Sequence, residues 1–143
     1  MLSYAHGVGE EPLLGETIGA NLERTIARVP DADALVSAHQ DIRYTYAEFG
    51  EAVDLLAGGM LAAGLERGDR VGVWGPNRSE WPLVQYATAK LGVILVNINP
   101  AYRTSELEYA LGQSGHRAHE GPDVRAGGVP PVWEGRACRA RRL

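Results

Sequence analysis

The chain has 143 residues, which is enough for one domain with a modest hydrophobic core. Its apolar content of 45% and charged content of 22% are globular values and exclude a fibrous or wholly disordered chain. The longest apolar stretch, 91–98, is too short for a transmembrane segment. With no secretory signal and a single cysteine, Cys138, a cytoplasmic protein is expected.

Charge is distributed unevenly along the chain. Residues 1–115 carry 8 basic and 15 acidic side chains, a net charge of −7, whereas 116–143 carry 6 arginines and 3 acids, a net charge of +3. Nucleic-acid phosphates would repel the acidic body, so no nucleic-acid partner is predicted. The change of sign also coincides with a change of composition, which suggests a boundary near residue 115.

The first elements are predicted from caps and periodicity. Thr17 can cap a helix whose apolar positions recur every four residues, at Ile18, Leu22 and Ile26, and Pro30 and Asp31 end it. Two short strands are predicted at 34–38 and 42–44, joined through 39–41.

A capping box is predicted at Thr45 and Glu48, at the start of a longer helix. Gly64 stands where a left-handed residue ends a helix. Gly58 and Gly59, inside the helix, indicate a locally weak helix or close packing. The apolar face consists of Phe49, Val53, Leu56 and Met60.

From residue 70 onward, strand and helix patterns alternate. A strand at 70–74 precedes a helix capped by Ser79 and closed by Gly92, with Trp81, Val84, Thr88 and Leu91 on its inner face. The apolar run 93–98 is typical of a parallel strand covered on both faces. The last helix is predicted to be capped by Thr104 or Ser105, with a capping box at Ser105 and Glu108 and an inner face of Leu107, Ala110 and Leu111.

This alternation predicts an α/β fold, the leading part of a doubly wound, mostly parallel sheet with flanking helices. The sheet is expected to be incomplete, because the last helix needs a further strand to pack on. Such a molecule should expose a sheet edge and apolar helix faces, and should be poorly soluble or molten.

The arginine-rich segment, 116–143, shows no hydrophobic period of 2 or 3.6 residues and is predicted to be disordered. Arginine, glycine, alanine and proline dominate it, and these residues have the most GC-rich codons. We therefore expect a frameshift near codon 116 in a GC-rich gene. An ordinary disordered, arginine-bearing tail is the alternative.

Many short segments resemble one enzyme family, in the same order and at similar spacing. The most specific is 74–81, with the sequence Trp-Gly-Pro-Asn-Arg-Ser-Glu-Trp, followed by the turn Asn99-Pro100. On these and on segments 12–22, 44–48, 64–71 and 106–115, residues 13–115 resemble the N-terminal part of the adenylate-forming (AMP-binding) acyl-CoA synthetases, in the fatty-acid–CoA ligase branch. The sequence departs from the family pattern at Gly59, Pro82 and Gly112.

The resemblance implies a reaction in two steps. A fatty acid and ATP give an acyl-adenylate and pyrophosphate, and coenzyme A then displaces AMP. ATP, magnesium and coenzyme A are the cofactors implied for the full-length family. The family's phosphate-cradling loop, ribose-binding acid and mobile lysine have no counterpart in this sequence, and Lys90 matches no catalytic position. No catalytic, cofactor-binding or metal-binding residue is therefore expected in this chain.

Other motifs that could carry chemistry are weak. His116, His119 and Cys138 lack a constrained metal-ligand spacing. The glycine pairs Gly7 and Gly9, and Gly72 and Gly75, do not form a dinucleotide loop, and 112–115 is not a nucleophile elbow. A ligand surface of Trp74, Trp81, Tyr86 and Tyr102 is less favoured than core or sheet-edge packing, and Glu106 and Glu108 suit a helix start.

Three functional hypotheses follow. The first is a truncated N-terminal fragment of a fatty-acid–CoA ligase, inactive alone and able to use a fatty acid only if the C-terminal part completes it. The second is a non-catalytic docking half of a split ligase. The third is an independent small-ligand binding module.

Overall fold

The computed structural model describes residue 9, residues 13–114 and the pair 139–140. Helices and strands alternate over most of this length, as the sequence predicts. In chain order they are α1 (Ile18–Arg28), β1 (Asp33–Ser37), a 3-10 turn (Ala38–Gln40), β2 (Ile42–Thr45), α2 (Tyr46–Ala62), β3 (Arg70–Trp74), α3 (Glu80–Leu91), β4 (Ile94–Ile98), α4 (Thr104–Gln113) and β5 (Arg139–Ala140).

The strands of the described residues form two small sheets. Strands β1 and β2 make an antiparallel hairpin, and its turn is closed by Asp41 in the left-handed conformation, at φ 53°. Strands β3 and β4 pair in parallel over five residues, from Arg70 opposite Ile94 to Trp74 opposite Ile98, with α3 as the connection. This parallel strand–helix–strand unit confirms the α/β fold class.

Strand β5 differs from the expectation for the arginine-rich segment. Its two residues pair antiparallel with the start of β3, Ala140 opposite Arg70 and Arg139 opposite Val71, so the order in this sheet is β4-β3-β5. The physical reason is the edge of β3, whose backbone groups need hydrogen-bond partners. The predicted disorder of residues 116–138 and 141–143 lies outside the described residues.

The core lies where α2 and α3 pack on each other and on the strands. The predicted apolar face of α2 is confirmed, because all four of its residues are buried. Phe49 meets Tyr86 of α3 edge to face, with ring centroids 5.5 Å apart. The buried hydrophobic residues are Leu22, Phe49, Val53, Leu56, Ala57, Met60, Leu65, Val71, Val73, Leu83, Val84, Ala87, Val93 and Ile98.

Most of the predicted helix ends are confirmed. The Thr17 hydroxyl accepts a hydrogen bond from the Ala20 N–H at 3.1 Å. At the start of α2, the Thr45 N–H donates to Glu48 and the Glu48 N–H donates to the Thr45 hydroxyl, which is the predicted capping box. Gly64 and Gly92 have φ of 79° and 70°, the left-handed conformation that glycine adopts without strain.

One predicted cap is confirmed in position only, and another is wrong. Ser79 stands at the N-cap of α3, but its hydroxyl does not cap the helix and donates instead to the Glu80 carboxylate at 3.3 Å. Helix α4 begins at Thr104, so Arg103 is its N-cap and Glu106, rather than Glu108, accepts the N-cap N–H at 2.7 Å. Thr104, Ser105 and Glu106 all lie within one turn here, so the sequence pattern alone does not determine which residue is the N-cap.

Burial around the glycines and β4 also differs from expectation. A methyl group on Gly58 or Gly59 would meet nothing within 4 Å, so these residues are not sites of close packing. Strand β4 is not covered on both faces, because Ile94 is 43% exposed and Asn97 is also exposed. The buried face of α3 centres on Leu83, Val84, Ala87 and Thr88, while Trp81 and Leu91 are only half-buried.

Helix α4 contributes no buried residue. Among the described residues, no helix combines the length and the hydropathy that a membrane span requires.

Candidate functional site

The carboxyl ends of β3 and β4 form the first candidate site. In open parallel sheets, ligands bind outside this edge. Here the Trp74 indole N–H donates to the Asn99 carbonyl at 3.1 Å, which ties the end of β3 to the loop after β4. Asn99 also shapes its own loop, because its side-chain oxygen accepts from the Ala101 N–H at 3.0 Å.

The four aromatic residues considered above divide between packing and exposure. The Trp81 indole N–H donates to the Pro76 carbonyl at 3.0 Å and fixes the loop before α3, and Tyr86 packs on Phe49 in the core. Trp74 and Tyr102 are 39% and 37% exposed. Core packing accounts for two of the four, and the indole of Trp74 has a structural partner.

A second candidate is a largely buried polar network between the hairpin and the start of α3. The Gln40 side-chain oxygen accepts from the Ser79 N–H at 2.8 Å, and its amide donates to the Glu80 carboxylate at 3.2 Å. Ser37 donates to the same Gln40 oxygen at 2.9 Å. Gln40 therefore accepts a hydrogen bond from the N-cap residue of α3, Ser79, whose own hydroxyl makes no cap bond.

Glu80 is the charged member of this network. It is only 8% exposed, and its carboxylate receives hydrogen bonds from Gln40, from Ser79 and, at 3.4 Å, from the Arg78 guanidinium. All three donors meet the same oxygen, Oε2, and the Gln40 amide also lies 3.5 Å from Oε1. The arrangement suits a structural clamp at a helix N-terminus, where negative charge is also favoured by the helix dipole.

The chain's single lysine holds three helices together. Lys90 of α3 forms ion pairs with Glu23 of α1 and Asp54 of α2. Partial burial opposes its charged form, but these two hydrogen-bonded carboxylates outweigh that effect and raise the pKa of Lys90. The lysine stem runs close to Gly19, where an added methyl would lie 3.2 Å from the Lys90 Cγ.

The other candidate residues from the sequence analysis either have structural roles or lie outside the described residues. The Ser114 hydroxyl donates to the Ala110 carbonyl at 2.6 Å, so it ends α4, and Gly72 lies inside β3. The described residues contain no group of three or more His, Cys, Asp or Glu side chains that could hold a metal ion. Residues 7, 116, 119 and 138 lie outside the described residues.

Sequence reasoning missed the role of Gln40. The residue is separated from Ser79 by 39 positions and from Glu80 by 40. No local pattern signals such a contact, because it depends on how the hairpin packs against α3. The ion pairs of Lys90 could not be predicted from the sequence for the same reason.

Comparison with known proteins shows which family this chain resembles. The family model described as AMP-binding enzyme matches residues 22–121. The chain is 52% identical over 109 residues to the mitochondrial medium-chain acyl-CoA ligase ACSF2 of Danio rerio, covering 76% of this chain and 18% of that protein. It is 40% identical over 131 residues to the putative acyl-CoA synthetase YngI of Bacillus subtilis, covering 85% and 24%.

A solved structure shows the same fold. The N-terminal domain of FACL13 from Mycobacterium tuberculosis superposes with a TM-score of 0.67 at 33% identity, covering 70% of this chain and 26% of that one. The chain thus spans between a sixth and a quarter of the length of the curated relatives described above.

Proposed function

The chain belongs to the AMP-binding enzyme family, and on that premise we propose that it is the N-terminal part of an ATP-dependent fatty-acid–CoA ligase. The parent reaction joins a fatty acid to coenzyme A through an acyl-adenylate, with ATP and magnesium. The observation that carries this proposal is the 52% identity to a medium-chain acyl-CoA ligase over 109 residues. Medium-chain fatty acids are therefore the first substrates to test.

This part of the enzyme has a structural role. Its described residues supply two neighbouring parallel strands, β3 and β4, and the helices α2 and α3 that cover them. The polar network of Gln40 and Glu80 and the ion pairs of Lys90 stabilise this layer. The chain alone does not catalyse the reaction, since its sequence lacks the phosphate-cradling loop and the lysine that stabilises the developing charge.

An in-frame chimera tests the proposal. Residues 1–114 are joined to the part of the Danio rerio ligase that follows the aligned stretch, and octanoyl-CoA formation is measured with octanoate, ATP, magnesium and coenzyme A. We expect activity from the chimera and none from the downstream part alone. A soluble, folded chimera that forms no thioester contradicts the proposal.

The composition of residues 116–143 supports a second part of the proposal, a frameshift near codon 116. The segment is rich in arginine, glycine, alanine and proline, and its aliphatic residues lack the periodicity of a strand or helix. The test is to resequence the DNA across codons 105–145 and to translate all three frames downstream. A family-like continuation in another frame supports the lesion, and its continuation in the present frame contradicts it.

A cytoplasmic location is part of the same proposal. The sequence has a single cysteine, which is compatible with a reducing compartment. The Danio rerio relative is named as a mitochondrial protein. Fractionation of cells that express the tagged chain decides between the two compartments.

One observation favours a second candidate, the docking half of a split ligase. Strand β3 has a full parallel partner on one side and, among the described residues, a partner of two residues on the other. A sheet edge of this kind can accept a strand from another polypeptide.

A further inference from the structure

Helix α1 has a small apolar anchor on the layer formed by α2 and α3. Of its eleven residues only Gly19 and Leu22 are buried, and both lie in the first half of the helix. Leu22 belongs to the hydrophobic core, and the half-buried Ile26 packs next to Gly50 of α2. By contrast, α2 buries six residues. Because apolar burial contributes in proportion to the area removed from water, the docking of α1 depends more strongly on its polar contacts.

An ion pair joins the same half of α1 to α3. Glu23 of α1 pairs with Lys90 of α3, whose side chain is 17% exposed. Gly19 allows α1 to come close to the lysine stem, because an added methyl there would lie 3.2 Å from the Lys90 Cγ. Asp54 of α2 pairs with the same amine, so Lys90 keeps a partner if Glu23 moves away. The Glu23 carboxylate is 56% exposed, and solvent ions can therefore screen its attraction to the lysine.

The chain that follows α1 is fixed independently of this ion pair. The Pro30 carbonyl accepts a hydrogen bond from the Ala47 N–H at 3.0 Å, and the Ala32 carbonyl accepts one from the Tyr46 N–H at 2.9 Å. These bonds satisfy N–H groups in the first turn of α2, which have no partner inside their own helix. The chain from residue 30 onward therefore stays in place when α1 moves. Val29, the C-cap residue of α1 with φ −142° and ψ 59°, is the position at which the chain can turn.

We propose that α1 is a hinged strap, held closed by the ion pair between Glu23 and Lys90 and able to open about Val29. Weakening the ion pair releases α1, while α2, α3 and β3 keep their packing. Opening exposes Leu22, so the closed form shown here is the major one and the open form is a minor state. The strap is separate from the proposed ligase function, because all of its contacts lie within residues 17–91.

Hydrogen exchange of the complete 143-residue chain at two salt concentrations tests the strap. An isolated helix of this length is marginal in water, so the amides of 22–28 lose protection whenever α1 opens. The screening length falls from about 30 Å at 0.01 M salt to about 3 Å at 1 M. Relative to β3, we expect exchange in 22–28 to become about two- to fivefold faster over this range of NaCl concentration. Exchange in α1 that does not depend on salt, or that changes equally in β3, overturns the proposal.

Charge variants show whether this particular ion pair is responsible. Lys90→Met keeps an unbranched stem beside Gly19 and removes the positive charge, whereas Glu23→Gln removes the negative one. Each should speed α1 exchange about two- to fivefold at low salt, and the double variant should exceed neither, because both remove the same interaction. Lys90→Arg keeps the charge and should preserve most of the protection. Glu23 and Asp54 are both more than half exposed, so Lys90→Met leaves no buried carboxylate without a partner and should fold.

The matched control breaks an ion pair elsewhere on the surface. Arg43→Met removes the pair with Asp33 in the hairpin and should leave exchange in α1 unchanged. Additive effects of Lys90→Met and Glu23→Gln overturn the role of their ion pair, as does an equal acceleration of α1 in Arg43→Met. If Lys90→Met speeds exchange in β3 as much as in α1, the lysine supports the whole fold and the hinged strap is rejected.

Discussion

Thr45 and Glu48 show how a single pair of residues specifies the start of a helix. Each side chain accepts a hydrogen bond from the other residue's backbone N–H, at 3.3 Å and 2.8 Å. The backbone N–H of Thr45, followed by its hydroxyl, lowers the pKa of Glu48. The capping box was predictable from sequence because both partners lie within one turn.

The lowered pKa of Glu48 gives a prediction for pH. Its contribution to stability is complete above the unfolded value of about 4.3 and is lost as the pH falls through the lower, folded value. Glu48→Ala should therefore destabilise the chain at neutral pH and make less difference in acid. Urea unfolding at several pH values measures this, with Glu51→Ala, an exposed glutamate of the same helix, as the control. An effect of Glu48→Ala that does not change with pH contradicts the role.

Gln40 illustrates what local patterns cannot show. Its side chain satisfies the Ser79 N–H and one side of the buried Glu80 carboxylate. Gln40→Ala leaves both without that partner and should cost about 1–3 kcal/mol of unfolding free energy. Gln85→Ala removes the same side chain from the exposed face of α3 and should change stability by less than about 0.5 kcal/mol. Equal effects in urea unfolding would show that the network does not stabilise the fold.

At the scale of an element, α2 contains two glycines that its packing does not require. Gly58 is exposed and a methyl group there meets nothing within 4 Å. Gly58→Ala should stabilise the helix by about 1 kcal/mol, because alanine loses less backbone entropy.

Gly64, just beyond the same helix, is the contrasting control. Its φ of 79° is strained for alanine, so Gly64→Ala should destabilise by about 1 kcal/mol or more. Far-UV circular dichroism during urea unfolding gives both values. A destabilising Gly58→Ala would show that the outer face of α2 is packed in solution.

The helices and strands also show how much of the secondary structure could be predicted from the sequence. Periodicity predicted four helices and the first four strands, and glycine predicted two helix ends, at Gly64 with a left-handed conformation and at Gly92. The cap of α4 was wrong because Thr104, Ser105, Glu106 and Glu108 lie within two turns of each other. Strand β5 was not predicted, since its pairing with β3 depends on an unfilled edge elsewhere in the chain.

For the whole molecule, burial is concentrated around α2, α3 and β3 and declines toward β4 and α4. Ile94 is 43% exposed, Tyr109 is 68% exposed, and α4 buries no residue. The expected poor solubility or molten state stays a prediction, and the structure places the weakest packing at this end.

That gradient is testable by hydrogen exchange. Amides of α4 should exchange much faster than those of α2 near Val53, which is fully buried. The dye ANS should also bind the free chain more strongly than the active chimera, in which the downstream part covers these surfaces. Uniform protection across α2 and α4, with no dye binding, would mean that the chain is a self-sufficient domain.

ATP–pyrophosphate exchange, which reports acyl-adenylate formation alone, tests most directly whether this chain is inactive without the downstream part of the enzyme. The purified 143-residue chain and the chimera are compared with octanoate, ATP and magnesium at equal concentration. We expect exchange by the chimera and only background from the chain. Octanoate-dependent exchange by the chain itself would contradict this expectation, because residues of this chain would then bind ATP and activate a carboxylate without the family's downstream motifs.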